Sequence, residues 1–211
     1  MTERPRETET TERHDGTAPR RLDAEISDRS KSPYTSGEKV RRVIWNYLGQ
    51  LLMRLTFHNW YALRNELLRL FGAEIGRNVR IRPNVNIEQP WNLTIGENSS
   101  VGDNAILYCL GTVTIGKGVS ISQYAHICAG THDYEQPDMP LLRPSIVLED
   151  NVWIAADAFV GPGVTVGEGA VLGARSSVYK DMSPRMVYAG NPAREIKKRI
   201  MRDAHGVEQQ E

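Results

Sequence analysis

The chain has 211 residues, and its 26 Lys and Arg balance 26 Asp and Glu. That length allows one good core with appendages, and the zero net charge gives no argument for a nucleic-acid partner. Cys109 and Cys128 cannot build a disulfide framework and match no zinc spacing, which fits a reducing compartment. No segment reads as a signal peptide, and none reaches the roughly 18 apolar residues of a membrane span, so a cytoplasmic protein is expected.

Residues 1–32 are rich in Glu, Arg, Thr, Asp and Ser and almost free of large apolar side chains, which predicts a disordered tail. A helical cap is expected over residues 33–74. Thr35 and Glu38, three apart, offer a capping box. Val40, Val43, Ile44, Tyr47, Leu48, Leu51, Leu52 and Leu55 then follow at the spacing of one helix face. A second run, from about residue 60 to residue 71, is expected to carry Leu63, Leu67 and Leu70 inward and to end at Gly72. Arg41, Arg42, Arg54, Arg64 and Arg69 make the pair basic. Beside its capping role, residues 38–71 therefore offer a peripheral membrane contact at the inner face.

From Ile75 the chain becomes an array of six-residue units, each led by an aliphatic residue. Leading positions fall at 75, 81 and 87, then 95, 101 and 107, then 115, 121 and 127. After an interruption, Leu148, Ile154, Val160, Val166, Leu172 and Val178 continue at strict sixes. Hexads of this kind signal a parallel β-helix of stacked triangular coils. Position one and the preceding position five point inward by the strand period of two, so position five is small: Ser99, Ala105, Val119, Ala125, Ala158, Ala170 and Ser176. Gly and Asn at positions two to four relieve the corners. The fold expected is mainly β, with the β-helix over residues 75–192 and a C-terminal helix and tail over residues 193–211.

The rhythm stops at Thr131-His132-Asp133-Tyr134. By hexad position Thr131 points in and His132 points out. The following loop, residues 133–145, holds Pro137, Pro140 and Pro144, which exclude regular strand or helix and favour a projecting loop. Histidine exchanges protons near neutral pH, which suits general-base work, but an outward position at the base of that loop does not by itself give His132 a catalytic role. His126 takes the outward position one hexad earlier and reads as surface or interface.

Five ordered stretches carry a resemblance: residues 70–76, residues 121–134, residues 151–164, residues 173–177 and Ala189-Gly-Asn-Pro-Ala-Arg-Glu-Ile-Lys197. Together they resemble the left-handed β-helix, hexapeptide-repeat acyltransferases over about residues 40–200. The closer likeness is to exopolysaccharide O-acetyltransferases of the colanic-acid type, relatives of galactoside, maltose and nodulation-factor O-acetyltransferases. The left-handed coiling is implied by that resemblance, not by spacing.

The resemblance implies acetyl transfer from acetyl-CoA to a sugar hydroxyl, with no metal, in a homotrimer whose active sites lie between subunits. His132 falls on the catalytic histidine, with Asp133 and Tyr134 beside it on the acceptor side. Ala156 and Ala174 match small residues along the pantetheine groove, and Lys180, Arg194 and Lys197 match basic positions that contact CoA phosphates. One departure is Gly102, where galactoside-type members place an active-site asparagine; Asn104, two residues on, is the candidate replacement. Two other readings stay open: a non-enzymatic trimeric scaffold, and a γ-type carbonic anhydrase, for which the array supplies no third histidine.

Overall fold

Alternation inside each six-residue unit sets the architecture. A computed structural model describes residues 32–200; the expected tail and the chain end, residues 1–31 and 201–211, lie outside the described residues. Short strands stack into three parallel faces. Face A is built from Glu74–Ile75, Leu93–Ile95, Val113–Ile115, Ile146–Leu148 and Thr165–Val166. Face B begins with Arg80–Ile81, Ser100–Val101, Ser120–Ile121, Trp153–Ile154 and Val171–Leu172, and face C runs from Asn86–Ile87 to Ser177–Val178. The ladders place leading aliphatics over one another: Ile75 on Ile95, Ile95 on Ile115, Ile115 on Leu148 and Leu148 on Val166.

All of these leading residues are buried, and so is each small position-five residue. Filling the narrow interior in this way removes apolar area from water at roughly 25 cal/mol per Å². The corner between faces A and B needs a left-handed residue in every coil, and Asn78, Asn98, Gly118, Asn151 and Gly169 supply it. Only Gly, and next to it Asn, adopts that conformation at low cost.

The stack has a polarity. Backbone N–H groups of the first coil donate to the second, as in Gly76 to Ile95 at 2.8 Å, Arg80 to Ser99 at 2.9 Å and Arg82 to Val101 at 3.1 Å. The matching carbonyls of the first coil therefore have no coil ahead of them. Helices α1 (Ser36–Ile44), α2 (Gln50–Arg54) and α3 (Tyr61–Leu70) lie across that end. Their side chains donate to it: Arg69 Nη2 to Ile75 O (2.6 Å), Asn65 Nδ2 to Val79 O (2.9 Å) and Arg64 Nε to Ile81 O (2.7 Å). Trp45 Nε1 and Gln50 Nε2 both reach Ile87 O, at 2.5 and 2.7 Å.

A π-turn over Trp45–Gly49 joins α1 to α2 and brings residues five apart onto one carbonyl. Gly49 lies under the Trp45 ring, where a Cβ would sit 2.1 Å from a ring carbon.

The capping box at Thr35 and Glu38 and the left-handed Gly72 after α3 both form as expected. The inward apolar face does not. Val40, Val43, Ile44, Tyr47, Leu48, Leu51, Leu52 and Leu55 are exposed, as are Leu63 and Leu70, and only Leu67 of that set packs partly against the core. The reason is chemical. The end of the β-helix presents acceptors, so the helices turn their donors inward with only a few apolar side chains, among them Trp45, Met53 and Leu68, and most of their leucines away.

At the far end, Met186–Gly190 joins face B parallel to Val171–Leu172, and Ala193–Lys198 pairs antiparallel with it. The expected helix from residue 193 is thus a strand through residue 198. Its Glu, Arg and Lys content favours helix, but the chain reverses at Gly190 (φ 99°) beside an open strand edge. Pairing with that edge satisfies backbone groups that a helix would leave exposed. No helix among the described residues is long and apolar enough to cross a membrane.

Arg64 is fully buried and also donates to Thr56 Oγ1, Phe57 O and His58 O at 2.6 to 2.8 Å. Arg64→Met strands these acceptors, and urea unfolding should show a loss of about 2–4 kcal/mol. A loss near zero would remove the capping account.

Candidate active site

The interruption leaves the stack at the corner between faces C and A. Thr131–His132 does not continue the coil; it pairs antiparallel with Leu141–Leu142. This corrects two expectations. Thr131 is half-buried, not part of the interior, and the loop contains a short strand because that pair sits between Pro140 and Pro144, clear of both ring nitrogens.

The tip is closed by Asp133, whose carboxylate accepts from Glu135 N (3.1 Å) and Gln136 Nε2 (2.7 Å) and whose N–H donates to Pro140 O (3.0 Å). Met139 takes a left-handed conformation (φ 47°), and its carbonyl lies 2.7 Å from His132 Nδ1. A carbonyl can only accept, so in the neutral ring Nδ1 carries the proton and Nε2 keeps its lone pair. His132 itself is exposed.

The return path is fixed as well. Thr112 Oγ1 and Ser145 Oγ lie 2.6 Å apart, and a Cβ on Gly111 would come 2.5 Å from Arg143 O. Arg143 reaches Glu38 (3.5 Å) and Pro33 O (3.3 Å) and stacks on the Tyr34 ring.

The other expected residues lie elsewhere. Asn104 is exposed at the corner between faces B and C, with φ 58°. Ala156 and Ala174 stack at the same corner two and three coils on, joined through Arg175 N to Ala156 O (2.9 Å). Lys180 and Arg194 line a cavity of about 550 Å³ with Tyr179, Tyr188 and Ala193. Two carboxylates share that lining, Asp181 accepting from Thr165 N (2.8 Å) and Glu195 from Tyr188 Oη (3.3 Å), and neither forms an ion pair with Lys180 or Arg194 among the described residues. Lys197 is exposed outside that lining, Tyr134 is 81% exposed, and Asp133 is committed to the loop.

Within one chain, then, His132 occupies the edge between faces C and A, while Asn104, Ala156 and Ala174 occupy the edge between B and C. Sequence reasoning missed Met139, whose contribution is a backbone oxygen and so has no side-chain signature.

Residues 145–180 match the bacterial transferase hexapeptide family, six repeats. A protein of Escherichia coli K12 named as a colanic acid biosynthesis acetyltransferase, WcaF, is 42% identical over 167 residues, 79% of this chain and 92% of that one. The chain belongs to the hexapeptide-repeat acetyltransferases. The galactoside O-acetyltransferase of the same organism is 32% identical over 67% of this chain and 71% of its own. A solved galactoside acetyltransferase in complex with coenzyme A superposes with a TM-score of 0.72 at 26% identity, covering 86% of this chain and 92% of that one. The protein is an acyltransferase on a parallel β-solenoid.

The remaining candidates are structural. Cys109 is buried and burial pushes its thiol up; Cys128 is half-buried, and its thiol is raised by burial too. Neither has the lowered pKa of a nucleophile. Among the described residues no group of three or more His, Cys, Asp or Glu could hold a metal ion.

His126 stands edge-on between Tyr108 and Phe159, with ring centroids at 6.3 and 5.3 Å. Burial lowers its pKa from the ordinary 6.5. The unfolded chain therefore binds the proton first: stability from neutral His126 is full above about pH 6.5 and is lost as pH falls towards the lowered folded value. His126→Phe should gain thermal stability relative to wild type at about pH 5 compared with about pH 8. A gap independent of pH would contradict this.

Proposed function

We propose that the protein transfers an acetyl group from acetyl-CoA to a sugar hydroxyl in exopolysaccharide or other glycan biosynthesis in the cytoplasm, with His132 as general base. One observation carries this reading: the 2.7 Å contact from His132 Nδ1 to Met139 O, which leaves Nε2 as the proton acceptor. Nε2 takes the acceptor hydroxyl's proton as its oxygen attacks the thioester carbonyl. The new C–O bond forms an ester, the C–S bond breaks, and the imidazolium returns the proton to the departing sulfur. No covalent nucleophile is needed. The kinship with WcaF, named for colanic acid biosynthesis, and with the galactoside enzyme supports a sugar acceptor.

The coenzyme fits the edge between faces B and C. Ala156 and Ala174 leave room for its arm, and Lys180 and Arg194 offer charge to its phosphates. This edge meets His132 only if copies pack side by side, the edge between C and A of one against the edge between B and C of the next. A homotrimer with intersubunit sites supplies that arrangement and a second wall around the exposed imidazole. Asn104 then faces the acceptor across the interface, Tyr134 projects towards it, and Asp133 acts by holding the loop.

His132→Ala should lower the turnover number for CoA release by roughly 10²–10⁴ against a panel of sugars and lipid-linked glycans, with thermal stability unchanged. Full activity would sink the mechanism. Lys180→Ala combined with Arg194→Ala should raise KM for acetyl-CoA roughly tenfold with little change in turnover number. An unchanged KM would move the coenzyme elsewhere.

A further inference from the structure

The cap helices carry an apolar face that the chain itself does not cover. Tyr47 is 78% exposed and Leu55 70%, with Ile44, Leu48 and Leu51 about half exposed between them on the same side of α1 and α2. Phe57 and Trp60, next along the chain after α2, are exposed as well, their rings in edge contact at 4.9 Å. Exposed apolar side chains gathered on one face of a helix mark an interaction surface.

We propose that this face docks the enzyme on the surface of an anionic lipid bilayer. Three features favour a bilayer over a protein partner. First, direction: the opposite side of the helices bonds to the first coil's carbonyls, so the apolar side looks away along the axis of the stack. Copies packed side by side along faces A to C leave that end open, and all present it the same way.

Second, charge. Residues 36–71 hold six cations and two carboxylates. Glu38 is engaged by Thr35 and Arg143, and Glu66 by Arg69, whereas exposed Lys39 and Arg54 have no ionic partner among the described residues. The face thus offers free positive charge at both ends and no free negative charge, as anionic headgroups require. Third, composition: Tyr47, Phe57 and Trp60 are the residue types that settle at a membrane–water interface. Together these make a helix that lies in the interface plane. The inference is independent of the acetyl-transfer reading, since none of these residues belongs to the proposed site.

Flotation of the full chain with phosphatidylcholine vesicles, with and without phosphatidylglycerol, tests it. The wild type should float with the anionic vesicles, and Leu51→Glu combined with Leu55→Glu should reduce the bound fraction at least tenfold while leaving the oligomeric mass by light scattering unchanged. Lys39→Glu with Arg54→Glu, which leaves the apolar face intact, should lose binding to anionic vesicles selectively. Wild type that stays unbound overturns the proposal, as does a Leu51/Leu55 variant that floats like wild type. A fall in mass for that variant also overturns it, by assigning the face to a second copy of the chain.

Discussion

An open β-helix ends in a row of backbone carbonyls, and the first coil of this chain has no predecessor to bond them. Left buried and unmet, each such group costs on the order of 1–3 kcal/mol. An apolar lid would strand at least the four at Ile75, Val79, Ile81 and Ile87. Arg69, Asn65, Arg64, Trp45 and Gln50 meet them instead. That one requirement orients α1, α2 and α3, demands the π-turn that brings Trp45 and Gln50 onto one oxygen, and excludes any side chain at Gly49. It also departs from the usual placement of an amphipathic helix, with the donors inside beside Trp45, Met53 and Leu68 and most of the leucines outside.

The same end of the molecule is tied to the proposed chemistry. Glu38 closes the capping box with Thr35, whose hydrogen bonds hold its carboxyl below the usual range, and it also meets Arg143 on the returning arm of the His132 loop. The loop in turn fixes Met139 in a left-handed conformation, so that a main-chain oxygen sets the tautomer of His132. The imidazole is therefore oriented by backbone geometry rather than by a neighbouring carboxylate. Nε2, the proposed proton acceptor, has no protein partner among the described residues.

Much of this was legible in the sequence. The aliphatic leads at 75, 95, 115, 148 and 166 stack as their spacing requires, because strand pairing copies the period into three dimensions. The Asn and Gly corner residues announce their left-handed conformation for the same steric reason. The sense of the cap was not legible. Periodicity identifies a helix face but cannot tell whether the surface awaiting it is apolar or a rank of acceptors. Nor could local propensity anticipate that residues 193–198 would add to face B, since the open edge that captures them is built from Val171–Leu172 and Met186–Gly190. Asn104 is a subtler case: its left-handed corner geometry already accounts for an asparagine there, so its identity alone says little about substrate.

The excursion that carries His132 begins and ends at neighbouring points of the stack. Gly111 N bonds Ala129 O just before it and Ile146 N bonds Thr112 O just after, and Ile146–Leu148 resumes on Val113–Ile115 in register. The scaffold therefore does not register how long the detour is. Doubling a flexible loop costs only about 0.6 kcal/mol in closure entropy, so insertions at residues 134–138 are nearly neutral for folding provided the carbonyl of residue 139 still returns to the imidazole. Evolution can then lengthen, shorten or rewrite the loop tip while the proposed catalytic nitrogen and the proposed coenzyme edge stay still. Divergence among descendants of this fold should gather there, giving new acceptors without a new protein.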